Sequence, residues 1–485
     1  MTHLHRLPPE LLRNTLFFVE SLRDLHSLIS ASSCCLHGFL LSRNTILLSV
    51  LENDFGPIVF PEAQAIANVP NILAETRPIE VSAAFLEQYF SNMGYSVPLR
   101  RSSIISICHL SNTIDRLTEM YFLRTSARLE ALDGPNPATE NLRPTPLSSS
   151  ERTRIRRAFF RYELYCRIFP TTNTGPPYKS LIPSLAQFLL FIRRMCPWEV
   201  EELSCIHNYF ASLVEGFFSD LKNQFVLAAV TCPGARALNA RPSSNLLMEH
   251  RGTADGSPSL QTEQEGNHGQ EKYVSFHDLD IWALSIFDES HTCEDTFVSN
   301  LASFGLEFNL KLIDGDANQR KDMIRVAGIF QTDSLPEALA HSSREVQNSF
   351  QSPDSGSNTG ERDGPAYPNV GYSSFGRSRD EFYHEIYLSG YCSRYYPKPW
   401  TGGSDLKYDP LREMGYVFWD EERIIVPQVQ RNLRKARYVS RGVLPDRRPR
   451  IGESVMERLK NVKIPLTQMN RLVKEFGTDI DEDLS

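Results

Sequence analysis

Thiols beside imidazoles are the first residues in this chain that bear on chemistry. Cys205-Ile206-His207 and Cys108-His109 supply the two ingredients of a thiol nucleophile and its base. Their spacing argues against it. On a helix, residues two apart or adjacent point to different faces, so neither imidazole is placed to take a proton from its neighbouring thiol. His291 and Cys293 could share a metal ion, but no further pair of ligands stands at a plausible spacing. "HEIYL" at 384–388 opens like a zinc-protease helix and then fails, because Leu388 occupies the place of the second histidine. No glycine-rich loop follows a strand to cradle phosphate. The residues therefore predict no enzyme, no cofactor and no metal site.

A different kind of chemistry is offered by the aromatic segment. Tyr383, Tyr387, Tyr391 and Tyr395 recur every four residues, followed by Tyr396, Trp400, Tyr408, Tyr416, Phe418 and Trp419. Rings of this type recognise partners well, because they give large contact area at small entropic cost. They also plug cores, with their polar ends satisfied inside. "YVFW" (416–419) and "RIIVP" (423–427) are the best strand signals in the chain. In a strand, Tyr416 and Phe418 share one face while Trp419 turns to the other. That alternation predicts one covered and one exposed face, and makes Tyr416, Phe418 and Trp419 the candidate substrate surface.

The elements that position these residues are mostly helical. Hydrophobic residues make up 41% of the 485 and charged residues 23%, enough for a core. Net charge is −8, from 51 basic and 59 acidic residues, which gives no global reason to bind nucleic acid or anionic lipid. Nine cysteines without a C-x-x-C pair read as reduced thiols, which places the chain inside the cell, in cytoplasm or nucleus. The start lacks the basic and apolar regions of a signal peptide. The run "FLLFI" (188–192) is closed at once by Arg193 and Arg194, against the roughly 20 apolar residues a membrane span requires.

Along the chain, the proline-rich "DGPNPATENLRPTPL" (133–147) interrupts the helical pattern. Ser148 and Glu151 then stand at capping-box spacing, ahead of Ile155, Phe159, Tyr162, Cys166 and Phe169. After Pro197, the positions Leu203, Ile206, Phe210, Leu213, Phe217, Leu221 and Phe225 hold one apolar face for about six turns. Residues 233–274 and 334–377 are rich in Ser, Gly, Gln, Asn and Pro, which predicts two disordered linkers. These marks divide the chain into a three-helix module (1–50), a helical body in two parts (51–232 and 275–333), an aromatic-rich segment packing on that body (378–428) and a flexible tail (429–485). The tail carries eight basic residues against one acid over 431–450, which suits either a solvated surface or a nuclear import signal.

The chain start is the most informative stretch. In "LPPELLRNTLFFVESLRDL" (7–25), Pro8 or Pro9 can open a helix whose first turn also holds Glu10, favoured there by the helix dipole. Leu11, Leu12, Leu16 and Val19 form a stripe; "SLRDL" opens a second helix with Leu25, Leu28 and Ile29; Leu36, Phe39 and Leu40 mark a third. About 40 residues is near the limit for folding without a partner or staple. Apolar residues so placed serve either the rest of this chain or another protein.

This stretch resembles an F-box, on Leu7-Pro8, Glu10, Leu11-Leu12, Leu16, Phe18-Val19, Asp24-Leu25 and Leu28. "LSSSERTRIRRAFFRYELYCRIF", "WEVEELSCIHNYF" and "LREMGYVFWDEERI" are in turn similar to segments of uncharacterised F-box-like proteins of filamentous fungi. The resemblance implies a mainly α fold with an N-terminal F-box and an irregular helical body. It also implies binding to the adaptor subunit of an SCF-type ubiquitin ligase, and through it to a cullin-type ligase, by Leu7, Pro8, Leu11, Leu12, Leu16, Val19, Leu25 and Leu28. The body would then hold an unidentified protein substrate. The rival expectation is a helical scaffold whose first three helices pack on its own body.

Overall fold

The computed structural model describes residues 7–70, 78–91, 99–131, 145–170, 182–195, 197–237, 273–275, 291–326, 335–339, 341, 410–424, 426–440, 458–459 and 462–476. The chain divides into two compact units. One comprises Met1–Glu215, Asp295–Gly315 and Ile329–Arg448, the other Gly216–Glu294, Asp316–Gly328 and Pro449–Ser485. As the periodicities predict, the described residues are mainly α-helical.

The first unit opens with three short helices, α1 (Pro9–Phe17), α2 (Leu22–Ala31) and α3 (Ser33–Leu41). Pro9 stands at the first helical position of α1, and Ser21 and Ser32 cap α2 and α3 by accepting from the amides of Asp24 and Cys35. Helices α1 and α2 both pack on α3 and on α4 (Arg43–Asn68). Helix α4 bends at Gly56, whose φ of 62° needs a residue without Cβ, with Pro57 just beyond. Its Asn53 Nδ2 donates to the carbonyls of Phe17 (2.8 Å) and Val19 (3.0 Å), which satisfies the end of α1 and fixes the turn into α2.

Helix α4 also packs on α6 (Arg101–Ala131) and α7 (Ser149–Ile168); Tyr89 of α5 (Ile79–Ser91) donates to Glu62 of α4, and Tyr165 of α7 donates to Gln187 of the short α8 (Ser184–Leu190). The capping box expected at Ser148 and Glu151 is present in both directions. The long helix expected after Pro197 is α9 (Pro197–Thr231). Leu203, Ile206, Phe210, Leu221 and Phe225 on it are buried, and Leu213 and Phe217 half-buried. Its first half departs from the one-faced pattern, because every residue from Glu201 to Ala211 is buried. A helix surrounded on all sides must satisfy its polar groups internally.

Arginines do much of that. Arg157 reaches Glu202 at 2.8 and 2.9 Å, Arg412 reaches Glu201 at 2.6 and 2.7 Å, and Arg161 bridges Glu62 (2.8 Å) and Glu199 (2.7 Å). Burial pushes the Glu202 carboxyl above the usual range, while the neighbouring Arg157 and Arg161 guanidinium groups oppose that rise.

The C-terminal part of this unit corrects three expectations. First, 416–419 is no strand. After α10 (His291–Ala302), α11 (Leu306–Asp314) and α12 (Ala317–Val326, in the second unit), the chain continues as α13 (Pro410–Glu413), a 3₁₀ turn (Tyr416–Phe418), α14 (Glu421–Ile424) and α15 (Pro427–Ser440). Gly415, at φ 60°, reverses the chain ahead of the 3₁₀ turn, which breaks the extended run that "YVFW" suggests. Second, Leu335, Ala338 and Leu339 of the expected linker 334–377 are buried in a helical turn. Third, the expected flexible tail carries α15, with Asn432, Leu433 and Ala436 buried. Most of both expected linkers, and residues 378–409, lie outside the described residues.

In the second unit, β1 (Arg236–Ala237), β2 (Tyr273–Ser275) and β3 (Val462–Pro465) form a three-stranded antiparallel sheet in the order β1-β3-β2, with Ala237 opposite Val462 and Val274 opposite Ile464. Strand β1 and Tyr273 and Val274 of β2 come from the stretch expected to be linker (233–274), only Ser275 from the expected second helical part, and β3 from the expected tail. Helix α16 (Leu466–Phe476) follows β3 directly, and its Phe476 meets Phe225 edge-on at 5.5 Å.

Candidate partner-binding face

The thiol and imidazole pairs do not assemble a nucleophile. Cys205 and His207 are both buried on α9. Burial alone lowers the His207 pKa to about 4, so the ring is neutral at pH 7. It lies against Tyr162, whose hydroxyl stands 3.5 Å from His207 Nδ1 and donates to Ala302 O at 2.6 Å. Cys166, near the same tyrosine, is driven well above its ordinary pKa by burial, and Cys108 is raised to about 11 for the same reason. A reactive cysteine needs the opposite shift. The side chains of His291 and Cys293 and the whole of "HEIYL" lie outside what is described. Among the described residues, no three His, Cys, Asp or Glu side chains gather as a metal site.

Nor does the aromatic segment present a surface. Tyr416, Phe418 and Trp419 are all buried, at 2%, 0% and 0% exposure. The 3₁₀ turn replaces the two-faced strand with a plug seated on α6 and α7. Phe418 meets Tyr121 edge-on at 5.5 Å, and Trp419 meets Phe122 at 6.3 Å while its Nε1 donates to Met414 O at 2.7 Å. Arg154 of α7 donates to the Phe418 carbonyl (3.0 and 2.6 Å) and to Asp420 (2.6 Å). Arg423 pairs with Glu151 at 2.8 Å and stacks 5.1 Å from the Trp419 ring. These contacts fasten residues 414–424 into the core, and the rings cannot meet a substrate there.

The N-terminal helices are different. On α1, Leu12 and Leu16 are buried, at i and i+4, and Leu16 lies 3.7 Å from where a Cβ on Gly38 of α3 would stand. Leu25 of α2 and Cys35 and Phe39 of α3 are buried as well. Leu7, Leu11, Phe18, Leu36, Leu40 and Leu41 remain exposed, with Leu11 at 50%, Phe18 at 81% and Leu40 at 60%. Pro8 is exposed; Val19 and Leu28 are half-buried. Of the eight residues expected to meet an adaptor, Leu12, Leu16 and Leu25 therefore serve the chain's own core.

Helical geometry explains the division. At about 100° per residue, Leu11 lies a quarter-turn or so from Leu12, so one leucine of the pair faces α3 and the other solvent. Leu11 lies on the solvent side of α1, with Leu7 just before the helix and Phe18 at its C-cap also exposed, and Leu36 and Leu40 recur at an interval of four along α3. Six of the thirteen exposed large apolar residues among those described fall within residues 7–41, more than chance scatter along the chain would place there. Single exposed leucines need no explanation, whereas their concentration makes residues 7–41 the candidate interaction face. Phe18, Leu36, Leu40 and Leu41 escaped the residue-by-residue expectation for adaptor contact, which followed the apolar positions of α1 and α2 and named none on α3.

Within the described residues, no single helix is long and apolar enough to cross a membrane. Comparison with known protein families, with characterised proteins and with solved structures finds no match for this chain.

Proposed function

We propose that this chain is an F-box-like, substrate-recruiting subunit of an SCF-type ubiquitin ligase, which docks on the adaptor subunit through α1–α3 and has no catalytic role of its own. One observation carries the reading. Three short helices are anchored from one side by buried Leu12, Leu16, Leu25, Cys35 and Phe39, while Leu7, Leu11, Phe18, Leu36, Leu40 and Leu41 remain exposed. Helix α4 ties this module to the body, so an adaptor held by it would stand at a set distance from whatever the body binds. Apolar side chains at such spacings suit a helix-and-groove interface, in which a few leucine and phenylalanine anchors supply most of the affinity.

Burial of Leu12, Leu16 and Leu25 favours the rival reading, a scaffold whose first helices pack on their own body, for those three residues alone. The test must use exposed positions, since a charge at Leu12 would unfold the module. Leu11→Asp with Leu40→Asp, co-expressed with the adaptor subunit of an SCF ligase, should abolish co-purification while leaving helical content and thermal unfolding at wild-type values. Failure of the wild-type chain to retain the adaptor would sink the ligase reading and leave the scaffold.

A further inference from the structure

Phe18 caps the C-terminus of α1, at the turn into α2, and is 81% exposed, more than any other large apolar residue described. We propose that Phe18 is the principal anchor of the docking face, and that Asn53 of α4, outside the three docking helices, is the positioning residue that holds it. Both roles rest on the adaptor docking proposed above.

The turn is tied down on both sides of the ring. Ser49 Oγ donates to the Phe17 carbonyl at 3.1 Å, and Asn53 Nδ2 donates to the carbonyls of Phe17 (2.8 Å) and Val19 (3.0 Å), the two residues that flank Phe18. The Phe18 amide donates to Thr15 O at 3.2 Å. Ser21 closes the far end of the turn by accepting from the Asp24 amide and donating to its carboxylate. Asn53 in turn stands on a fixed post. Its neighbour Asp54 accepts from Arg156 of α7 through both carboxylate oxygens and its carbonyl, at 3.1 to 3.2 Å. Carbonyls at an exposed helix end are satisfied by water just as well. What the bonds from α4 add is a set direction for Phe18, referred through Asn53 and Asp54 to the body.

The energetics of association favour such a residue as anchor. A phenyl ring buries more apolar area than a leucine, and aromatic side chains are enriched where interfaces are most fully buried. A side chain carried on a loose loop loses ordering free energy when it binds, whereas one whose backbone is already fixed loses less. The exposed leucines of α1 and α3 then add smaller contacts around the same event. The adaptor must offer Phe18 an apolar pocket the size of a phenyl ring.

The test titrates the full chain with the purified adaptor subunit of an SCF ligase by isothermal calorimetry. Phe18→Ala should weaken binding about thirtyfold or more and Leu41→Ala about threefold, with thermal unfolding unchanged in both because the side chains are exposed. Asn53→Ala should weaken binding about fivefold, and no further once Phe18 is alanine. Loosening of the module as a whole would instead lower affinity by the same factor in both backgrounds, which would overturn the positioning role. Phe18→Ala within about threefold of wild type would overturn the anchor. A second arm uses no adaptor: Asn53→Ala should speed hydrogen exchange over residues 18–21 of the free chain severalfold and leave α9 unchanged. Unchanged exchange at 18–21 would overturn the positioning role whatever the partner. If the wild-type chain retains no adaptor, the docking reading and the anchor role fall together, and the exchange arm still decides whether Asn53 holds the turn.

Discussion

Trp419→Ala provides the sharpest test of how the body is held together. The ring is fully buried; it packs edge-on against Phe122, lies under the Arg423 guanidinium, and donates Nε1–H to the Met414 carbonyl at 2.7 Å. Truncating a buried tryptophan to alanine costs about 3–5 kcal/mol through lost transfer energy and the cavity left behind. The stranded Met414 carbonyl adds about 1 kcal/mol or more. The loss of the cation–π contact with Arg423 adds about 0.5–2 kcal/mol. A total of about 4.5–8 kcal/mol is a large share of the margin by which domains are stable. Tyr416→Ala should be nearly as severe, because Tyr416 is 2% exposed in the same plug. Trp419→Phe should recover about half of the loss, since it restores ring volume but not the hydrogen bond. Urea unfolding followed by near-ultraviolet circular dichroism measures all three. Reasoning from a core plug fails if Trp419→Ala lies within about 1 kcal/mol of wild type, or if the two alanine variants differ as one covered and one exposed ring would.

Three further outcomes are expected. Breaking the buried pair with Glu201→Ala should cost about 3–5 kcal/mol, whereas Glu201→Leu with Arg412→Met should cost far less, because no charge is then left unpaired in the core; a double-mutant cycle measures the difference. His207 has a folded pKa of about 4 against about 6.5 unfolded, so the unfolded chain binds more protons between those values. Stability should therefore fall by up to about 3 kcal/mol as pH drops from 6.5 to 4, and His207→Leu should flatten that slope in urea midpoints. Gly415→Ala places a Cβ 2.8 Å from Tyr121 Oη at a φ of 60°, which should cost about 1–3 kcal/mol and lower the melting temperature measurably.

Local spacing made the helices legible, and partner-dependent structure was not. Ser148 and Glu151 announce the start of α7 because a capping box is satisfied within four residues, and the apolar steps from Leu203 to Phe225 announce α9 because helix period alone generates them. The same steps understate α9, whose polar Glu201 and Glu202 are buried only because Arg412 and Arg157 come from elsewhere in the chain to meet them. The 3₁₀ turn at Tyr416–Phe418 depends on the left-handed conformation of Gly415, and an alternating aromatic run gives no sign of that. Strand β3 takes partners some 190 and 230 residues away, and a two- or three-residue strand carries no period to read. At the N-terminal face, apolar content identified the region, but the same content could not divide Leu11 from Leu12; burial did.

The central claim is that α1–α3 form a docking face for the SCF adaptor subunit. Hydrogen exchange of the full-length chain, with and without the purified adaptor, tests it most directly. Complex formation should slow exchange over residues 7–41 and leave α9 unchanged, and Leu11→Asp with Leu40→Asp should lose that protection. A complex that protects another part of the chain, or no complex at all, would contradict it.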